Sequence, residues 1–150
     1  SIPLFISRNM HPNVQFLTKT NMGLLFLYTP VFKTFFGIKN IICSFIIANT
    51  ILLSSVPFST SIIDLHKYSN YYSKWYYIFQ TSHHNTQYLF LSLFFTCLKR
   101  ELNYDIRDIE GDRKMNIFTL PVIIGKEKTN FIAKVCELIG LFFAFLTFFK

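Results

Sequence analysis

The chain has 150 residues, of which 51% are hydrophobic and 19% aromatic, while only 15% are charged. A typical soluble domain has about 25% charged residues, and a globule of this length has too small an interior to hide so much apolar surface. The net charge of +7 would suggest nucleic-acid binding in a soluble chain. Because the basic residues lie mainly between apolar segments, we predict a membrane protein without a nucleic-acid partner.

Four apolar segments predict membrane helices. Residues 40–63 and 75–98 contain no Asp, Glu, Lys or Arg, and each stretch is 24 residues long. About 20 predominantly apolar residues span the hydrocarbon core of a bilayer as a helix. Together with the apolar runs near either end of the chain, they predict helices over 22–36, 40–60, 86–104 and 129–149. We therefore expect an all-α, multi-pass transmembrane bundle.

The segment 64–77, "DLHKYSNYYSKWYY", separates the second and third predicted helices. Its Tyr and Trp residues are typical of an interfacial belt at the membrane surface. The chain opens with Ser rather than Met and stops inside an apolar run, "LFFAFLTFFK". We expect it to be a piece of a longer membrane protein.

The basic residues predict the orientation of these helices. If all four helices cross the membrane, the loops 33–39 and 99–128 share one side and contain nine Lys and Arg residues. The opposite side contains four, namely Arg8, Lys19, Lys67 and Lys74. Loops rich in Lys and Arg stay in the cytoplasm. The loop 99–128 is therefore predicted to face the cytoplasm, or the equivalent side of an organelle membrane.

An acidic segment, residues 101–112, contains five of the eight acidic residues of the chain: Glu101, Asp105, Asp108, Glu110 and Asp112. On a continuous helix at 100° per residue, all of them except Glu110 fall within an arc of about 60°. Gly111 is the expected break in that helix. Carboxylates on one face repel one another unless a cation lies between them, and oxygen ligands favour Mg²⁺ or Mn²⁺ over zinc.

Spacing alone leaves other interpretations of the acidic segment open. A calcium-binding EF-hand starting at Asp108 is excluded, because Arg113 and Thr119 stand where that loop requires Gly and Glu. A solvated ion-pair network remains open, since five acids are mixed with five bases over residues 99–114. An ion or proton pathway, with acids facing a membrane cavity, also remains open.

A longer motif distinguishes these interpretations. The stretch 105–129, "DIRDIEGDRKMNIFTLPVIIGKEKT", resembles the second aspartate-rich motif of the UbiA family of intramembrane prenyltransferases. The match comprises three aspartates with a following base, then Thr-Leu-Pro and a glycine: Asp105, Asp108, Asp112, Arg113, Thr119, Leu120, Pro121 and Gly125. Upstream, "LYTPVFK" at 27–33 resembles the Tyr-x-Pro-x-x-Lys of the same family.

The resemblance implies nine transmembrane helices around a cavity, of which about four would lie in this chain. It implies transfer of an isoprenyl group, an alkyl group other than methyl, from a prenyl diphosphate to an aromatic or other lipid-soluble acceptor within the membrane. Mg²⁺ is the implied cofactor. Carried over by position, the Mg²⁺ ligands would be Asp105, Asp108 and Asp112. Lys33 and Arg113 would contact the diphosphate. Tyr104 would be a catalytic residue close to the allylic cation.

The first motif of the family, NDxxDxxxD, is absent, and residues 1–26 contain no Asp or Glu. We therefore expect residues 1–150 to form a partial UbiA-type domain that lacks N-terminal and C-terminal helices and is inactive alone. The alternatives are a non-catalytic multi-pass protein or an ion-pathway subunit with an acidic cytoplasmic loop. A soluble isoprenyl diphosphate synthase also uses aspartate-rich motifs, but its helices should not include 24-residue uncharged spans.

Overall fold

The computed structural model describes residues 12–28, 37–55 and 84–148, and every regular element in these ranges is an α-helix. In chain order the helices are α1 (Pro12–Tyr28), α2 (Ile38–Ser55), α3 (His84–Arg107), α4 (Ile109–Lys114), α5 (Leu120–Ile124) and α6 (Lys126–Phe148). The all-α prediction is confirmed for the part of the chain that is described.

The helix bounds differ from the sequence prediction mainly at the first helix. Helix α1 begins at Pro12, ten residues before the predicted start at residue 22. The first half of α1 contains Lys19 and several polar residues, so its composition does not predict a membrane helix, yet Leu17 within it is completely buried. Tertiary packing therefore stabilises a segment that is too polar to stand out by composition. Residues 29–36 and the predicted interfacial belt at 64–77 lie outside the described residues.

One core cluster joins the first three helices. Buried side chains from α1, α2 and α3 form it: Val14, Phe16, Leu17, Ala48, Leu52 and Phe90. Beside it, the Asn49 side-chain amide of α2 donates a hydrogen bond of 2.7 Å to Asn21 Oδ1 of α1, and both residues are buried. Interhelical hydrogen bonds of this kind are typical of helices that pack where water is scarce.

Helices α3 and α6 form the most extensive contact between two helices among the described residues. Their backbones approach closely at Gly140, where an added Cβ would lie 3.0 Å from Thr96 Oγ1 and 3.3 Å from the Ser92 carbonyl oxygen. Near this contact, Lys99 Nζ of α3 lies 2.5 Å from Glu137 Oε1 of α6. Glu137, which interrupts the apolar sequence of α6, is therefore compensated by a base on the neighbouring helix.

Among the described residues, α6 is the one helix long and apolar enough to cross a membrane, and α2 is a shorter apolar helix. Large apolar side chains are exposed along α6, including Phe131, Leu138, Leu141, Phe142, Phe145 and Phe148. Crossing of the membrane by four helices stays a prediction.

The acidic segment is divided between two helices. The break lies at Asp108, with φ −96° and ψ 9°, and Gly111, the expected break, lies inside α4. The backbone keeps helix-like bonds across the break, since the N–H of Asp108 donates to the Tyr104 carbonyl and the N–H of Asp112 donates to the Asp108 carbonyl. The sequence therefore placed the break three residues too late.

Helix α4 ends in a Schellman motif. Asn116 has φ 54°, in the left-handed region. Its N–H donates to the Arg113 carbonyl at 3.2 Å, and the N–H of Ile117 donates to the Asp112 carbonyl at 2.8 Å. These bonds turn the chain back over the end of α4. The segment 115–118 therefore lies beside Asp112 before α5 begins.

Candidate functional site

The carboxylate of Asp105 is buried between α3 and α2, with 6% of the residue exposed. Both of its oxygens accept hydrogen bonds from the first turn of α2. Lys39 Nζ lies 2.6 Å from Oδ1, and the Asn40 side-chain amide donates to Oδ2 at 2.7 Å. These contacts give each oxygen of the buried carboxylate a partner on α2.

Asn40 contains an unsatisfied polar atom. The residue is 2% exposed, and its Oδ1 is buried without a hydrogen-bond partner among the described residues. Buried polar atoms without partners are rare in native proteins, and a missing ligand is one of the usual reasons. Besides the oxygens of Asp105, the Asn40 side-chain oxygen is therefore a possible metal ligand, and it makes no hydrogen bond with the described residues.

A cavity of about 610 Å³ lies next to the Lys39–Asp105 ion pair, with Lys39 in its wall. It is lined by the end of α1, the start of α2, and α4 with the segment that follows it: Tyr28, Lys39, Asp112, Met115, Asn116, Ile117 and Phe118. Lys39 lines the cavity and also contacts Asp105, so one ammonium group links the buried carboxylate to the open space. The cavity thus combines a base and a carboxylate with apolar side chains.

Asp112 is held in place by the start of α5. The hydroxyl of Thr119 donates to Asp112 Oδ2 at 2.9 Å. Thr119 is the N-cap residue of α5, but its side chain makes no capping hydrogen bond. Since an N-cap Thr usually bonds to its own helix, the hydroxyl here serves the orientation of Asp112 instead. Thr119 is 5% exposed, which restricts the movement of both residues.

The remaining predicted site residues lie in other surroundings. Asp108 is exposed, and its Oδ1 lies 3.4 Å from Arg107 Nε. The Arg107 guanidinium lies 5.2 Å from the centre of the Tyr104 ring, and Tyr104 is 45% exposed. Arg113 lines a different cavity of about 400 Å³, together with Ile106, Arg107, Ile109, Glu110 and Lys126. Lys33 lies outside the described residues.

The structure links two of the three predicted metal ligands through Lys39, which contacts Asp105 and lines the cavity with Asp112, whereas Asp108 is exposed. Within residues 12–28, 37–55 and 84–148, no three His, Cys, Asp or Glu side chains form a group that could hold a metal ion. The common metal site therefore stays a prediction. The carboxylate oxygens of Asp105 and the free Asn40 oxygen are donors that suit a hard cation such as Mg²⁺.

Comparison with known sequences agrees with the motif. The UbiA prenyltransferase family matches residues 4–149. The chain belongs to this family. Members of the UbiA family are integral membrane proteins, which agrees with the length and apolar character of α6. No solved structure matches the chain.

Three curated UbiA relatives are named digeranylgeranylglyceryl phosphate synthase. The protein of Pyrococcus horikoshii is 37% identical over 59 residues, which cover 39% of this chain and 21% of that protein. The protein of Pyrococcus abyssi is 41% identical over the same coverage. That of Methanosphaera stadtmanae is 44% identical over 46 residues, or 31% of this chain and 17% of that protein. The chain thus matches only about a fifth of the length of these relatives.

Four residues of the candidate site were not predicted from the sequence: Tyr28, Lys39, Asn40 and Thr119. Tyr28 and Thr119 lie inside the two motifs but received no role there. Lys39 and Asn40 had one detectable signal, because they stand where an uncharged stretch of 24 residues begins. A base and an amide in the first turn of an apolar helix are polar groups that need partners when they are buried.

Proposed function

We propose that this UbiA chain provides the diphosphate-binding part of a membrane prenyltransferase, which transfers an isoprenyl group from a prenyl diphosphate to a lipophilic acceptor. The observation that carries the proposal is the cavity of about 610 Å³, which Lys39 and Asp112 line together, while Lys39 also contacts Asp105. A base and an oriented carboxylate in one cavity wall, with a second carboxylate in contact with that base, suit a diphosphate bound with a divalent cation. Family membership supports the same conclusion.

The chemistry requires charge neutralisation, because diphosphate leaves with the electrons of the broken carbon–oxygen bond. We propose that Asp105, Asp108 and Asp112 hold Mg²⁺, which supplies positive charge at the leaving group when bound. Lys39 adds a second positive charge from the cavity wall, and its ammonium group would bind the oxygens of the leaving diphosphate. Arg113 and Lys33 remain proposed diphosphate contacts on the strength of the resemblance alone.

The other residues of the site position groups and exclude water. Thr119 fixes the direction of the Asp112 carboxylate through the hydrogen bond of 2.9 Å. Met115, Ile117 and Phe118 form an apolar wall, which would shield a reactive allylic cation from water. Tyr104 is proposed to stabilise that cation through its ring.

We propose that α1, α2, α3 and α6 are four of the nine membrane helices implied by the family resemblance, within a partial UbiA domain over residues 1–150. The loop 99–128 would then face the cytoplasm or its organellar equivalent. A single cysteine at Lys114, which is exposed, in a background without the three native cysteines can be labelled from either side of the membrane. Labelling from the lumenal side alone would overturn this orientation.

The test of function uses full-length protein in sealed liposomes and labelled geranylgeranyl diphosphate. Because the relatives' names describe a glyceryl phosphate lipid, one assay offers a prenylated glycerol phosphate acceptor and a second offers an aromatic acceptor. We expect transfer to one acceptor with Mg²⁺ and loss of transfer after chelation. If neither donor binding nor transfer occurs while ions cross the membrane, the ion-pathway interpretation replaces this one.

A further inference from the structure

Lys39 occupies the place where a cation would bind Asp105. Its ammonium group lies 2.6 Å from Asp105 Oδ1, and its side chain retains 24% exposure toward the cavity. The carboxylate itself is 7% exposed. Taking a carboxylate this far out of water is costly unless a positive charge compensates it. Without a metal ion, the lysine provides that charge.

We propose that Lys39 is an exchangeable counter-ion: Mg²⁺ displaces it from Asp105, and the freed ammonium group then binds the diphosphate in the cavity. This inference rests on the proposed function, since it concerns the same metal and the same donor. It adds a role for a lysine that lies outside both sequence motifs.

Competition follows from the contacts of Asp105. Lys39 Nζ lies 2.6 Å from Oδ1 and the Asn40 amide donates to Oδ2. A divalent ion on Oδ1 would therefore lie close to the ammonium charge, and repulsion between the two cations would favour departure of the lysine. Asn40 can remain, because turning its amide over would present the unsatisfied Oδ1 in place of the amide nitrogen. The metal would then gain an oxygen ligand, and the buried oxygen would gain a partner.

Coupling between the metal and the diphosphate follows from the position of Lys39 in the cavity wall. Displacement moves one positive charge from Asp105 toward the space that the diphosphate would occupy. Metal binding should therefore strengthen diphosphate binding, and diphosphate should strengthen metal binding by the same factor. Such coupling disfavours a bound diphosphate without its metal ion.

The direct test measures the reactivity of Lys39 in full-length protein by amine acylation and mass spectrometry. Lys128, which is exposed, is the internal reference. We expect Mg²⁺ to increase the labelling of Lys39 relative to Lys128, and inorganic diphosphate added with Mg²⁺ to reduce it again. Unchanged labelling of Lys39 at a Mg²⁺ concentration that saturates the protein would overturn the proposal.

A second measurement uses Mn²⁺ alone, with bound ion counted by electron paramagnetic resonance. Removal of an internal competitor that occupies the site about nine-tenths of the time raises apparent affinity about tenfold. Lys39→Met should therefore bind Mn²⁺ about tenfold more tightly than the wild type, while Lys128→Met should not change. Lys39→Met should also lose the coupling between Mn²⁺ and inorganic diphosphate. Equal Mn²⁺ affinity in all three proteins contradicts the exchange.

Lys39→Met leaves Asp105 buried without its base, so the variant is also studied by thermal unfolding in detergent. We expect Mn²⁺ to raise its melting temperature more than that of the wild type, because the ion replaces the missing charge. An equal or smaller rise contradicts the proposal. These measurements need no prenyl substrate. If Lys39 exchanges with the metal ion but no prenyl transfer occurs, this inference holds and the proposed function is rejected. If prenyl transfer occurs but Lys39 does not exchange, the proposed function holds and this inference is rejected.

Discussion

Helix α3 joins its two neighbours through lysine–carboxylate pairs of nearly equal length but different surroundings. Toward α2, Lys39 and Asp105 lie 2.6 Å apart, with 24% and 7% of their side chains exposed. Toward α6, Lys99 and Glu137 lie 2.5 Å apart, with 31% and 44% exposed. Asn40 also bonds to Asp105, so the first pair belongs to a buried network.

The difference shows that the length of an ion pair does not indicate its role. Glu137 is 44% exposed, so the protein encloses its carboxylate much less than that of Asp105. Asp105 is buried, so the loss of Lys39 with no other cation in its place leaves a buried charge uncompensated. The buried pair also adjoins a cavity and an unsatisfied Asn40 oxygen, which explains why we assign function to it and a structural role to the exposed pair.

The largest effect is expected from Asp105→Asn, because it removes a proposed metal ligand and leaves Lys39 unpaired. We expect the prenyl transfer rate to fall about 10²–10³-fold, the usual loss for one transition-state electrostatic contact. The free energy of unfolding should fall by about 3 kcal/mol, the low end for broken buried pairs, since Lys39 is partly exposed. Rate assays and thermal unfolding in detergent measure the two effects.

Two neighbouring carboxylates provide the controls for Asp105→Asn. Asp108→Asn should lower the rate about 10²–10³-fold with little change in stability, because Asp108 is exposed. Glu110→Gln should retain activity within a few-fold. If all three variants are as active as the wild type, the acidic segment is a solvated ion-pair network and the metal-site proposal is wrong.

A smaller effect tests whether close packing, rather than the exposed ion pair, holds α6 against α3. In Gly140→Ala, the added methyl group would lie 3.3 Å from the Ser92 carbonyl oxygen, which is part of the backbone. Since the α3 backbone must yield, we expect a loss of about 1–3 kcal/mol. The matched control is Gly23→Ala in α1, where no atom lies within 4 Å of the added carbon. That variant should gain about 0.5–1 kcal/mol, and an equal response of the two glycines would contradict this packing.

The smallest effect is expected from Glu137→Gln, which removes the charge of the exposed pair. The free energy of unfolding should fall less than in Asp105→Asn, because Glu137 is 44% exposed and Asp105 is 7% exposed, and prenyl transfer should continue at the wild-type rate. Thermal unfolding beside Asp105→Asn measures the contrast. A loss as large as that of Asp105→Asn would show that the two pairs are equivalent and that burial is not the deciding difference.

Local sequence information was sufficient for the class of the protein and the location of its acidic segment. The composition predicted helices, and the spacing of Asp105, Asp108 and Asp112 before Thr-Leu-Pro identified the family, which the match over residues 4–149 confirms. These features depend on composition and on residues close in the chain. Helix periodicity also anticipated that Glu110 lies away from Asp112, since Glu110 lines the second cavity and Asp112 the first.

The partners of these carboxylates depend on contacts between distant segments. Lys39 and Asn40 are 66 and 65 residues from Asp105 in the chain, and no local pattern specifies which apolar helix will pack against α3. The break at Asp108 and the Schellman turn at Asn116 then direct Arg113 and Asp112 into different cavities. The acidic side chains follow from the sequence, but the burial and counter-charge that distinguish Asp105 from Asp108 arise only when α2 packs against α3.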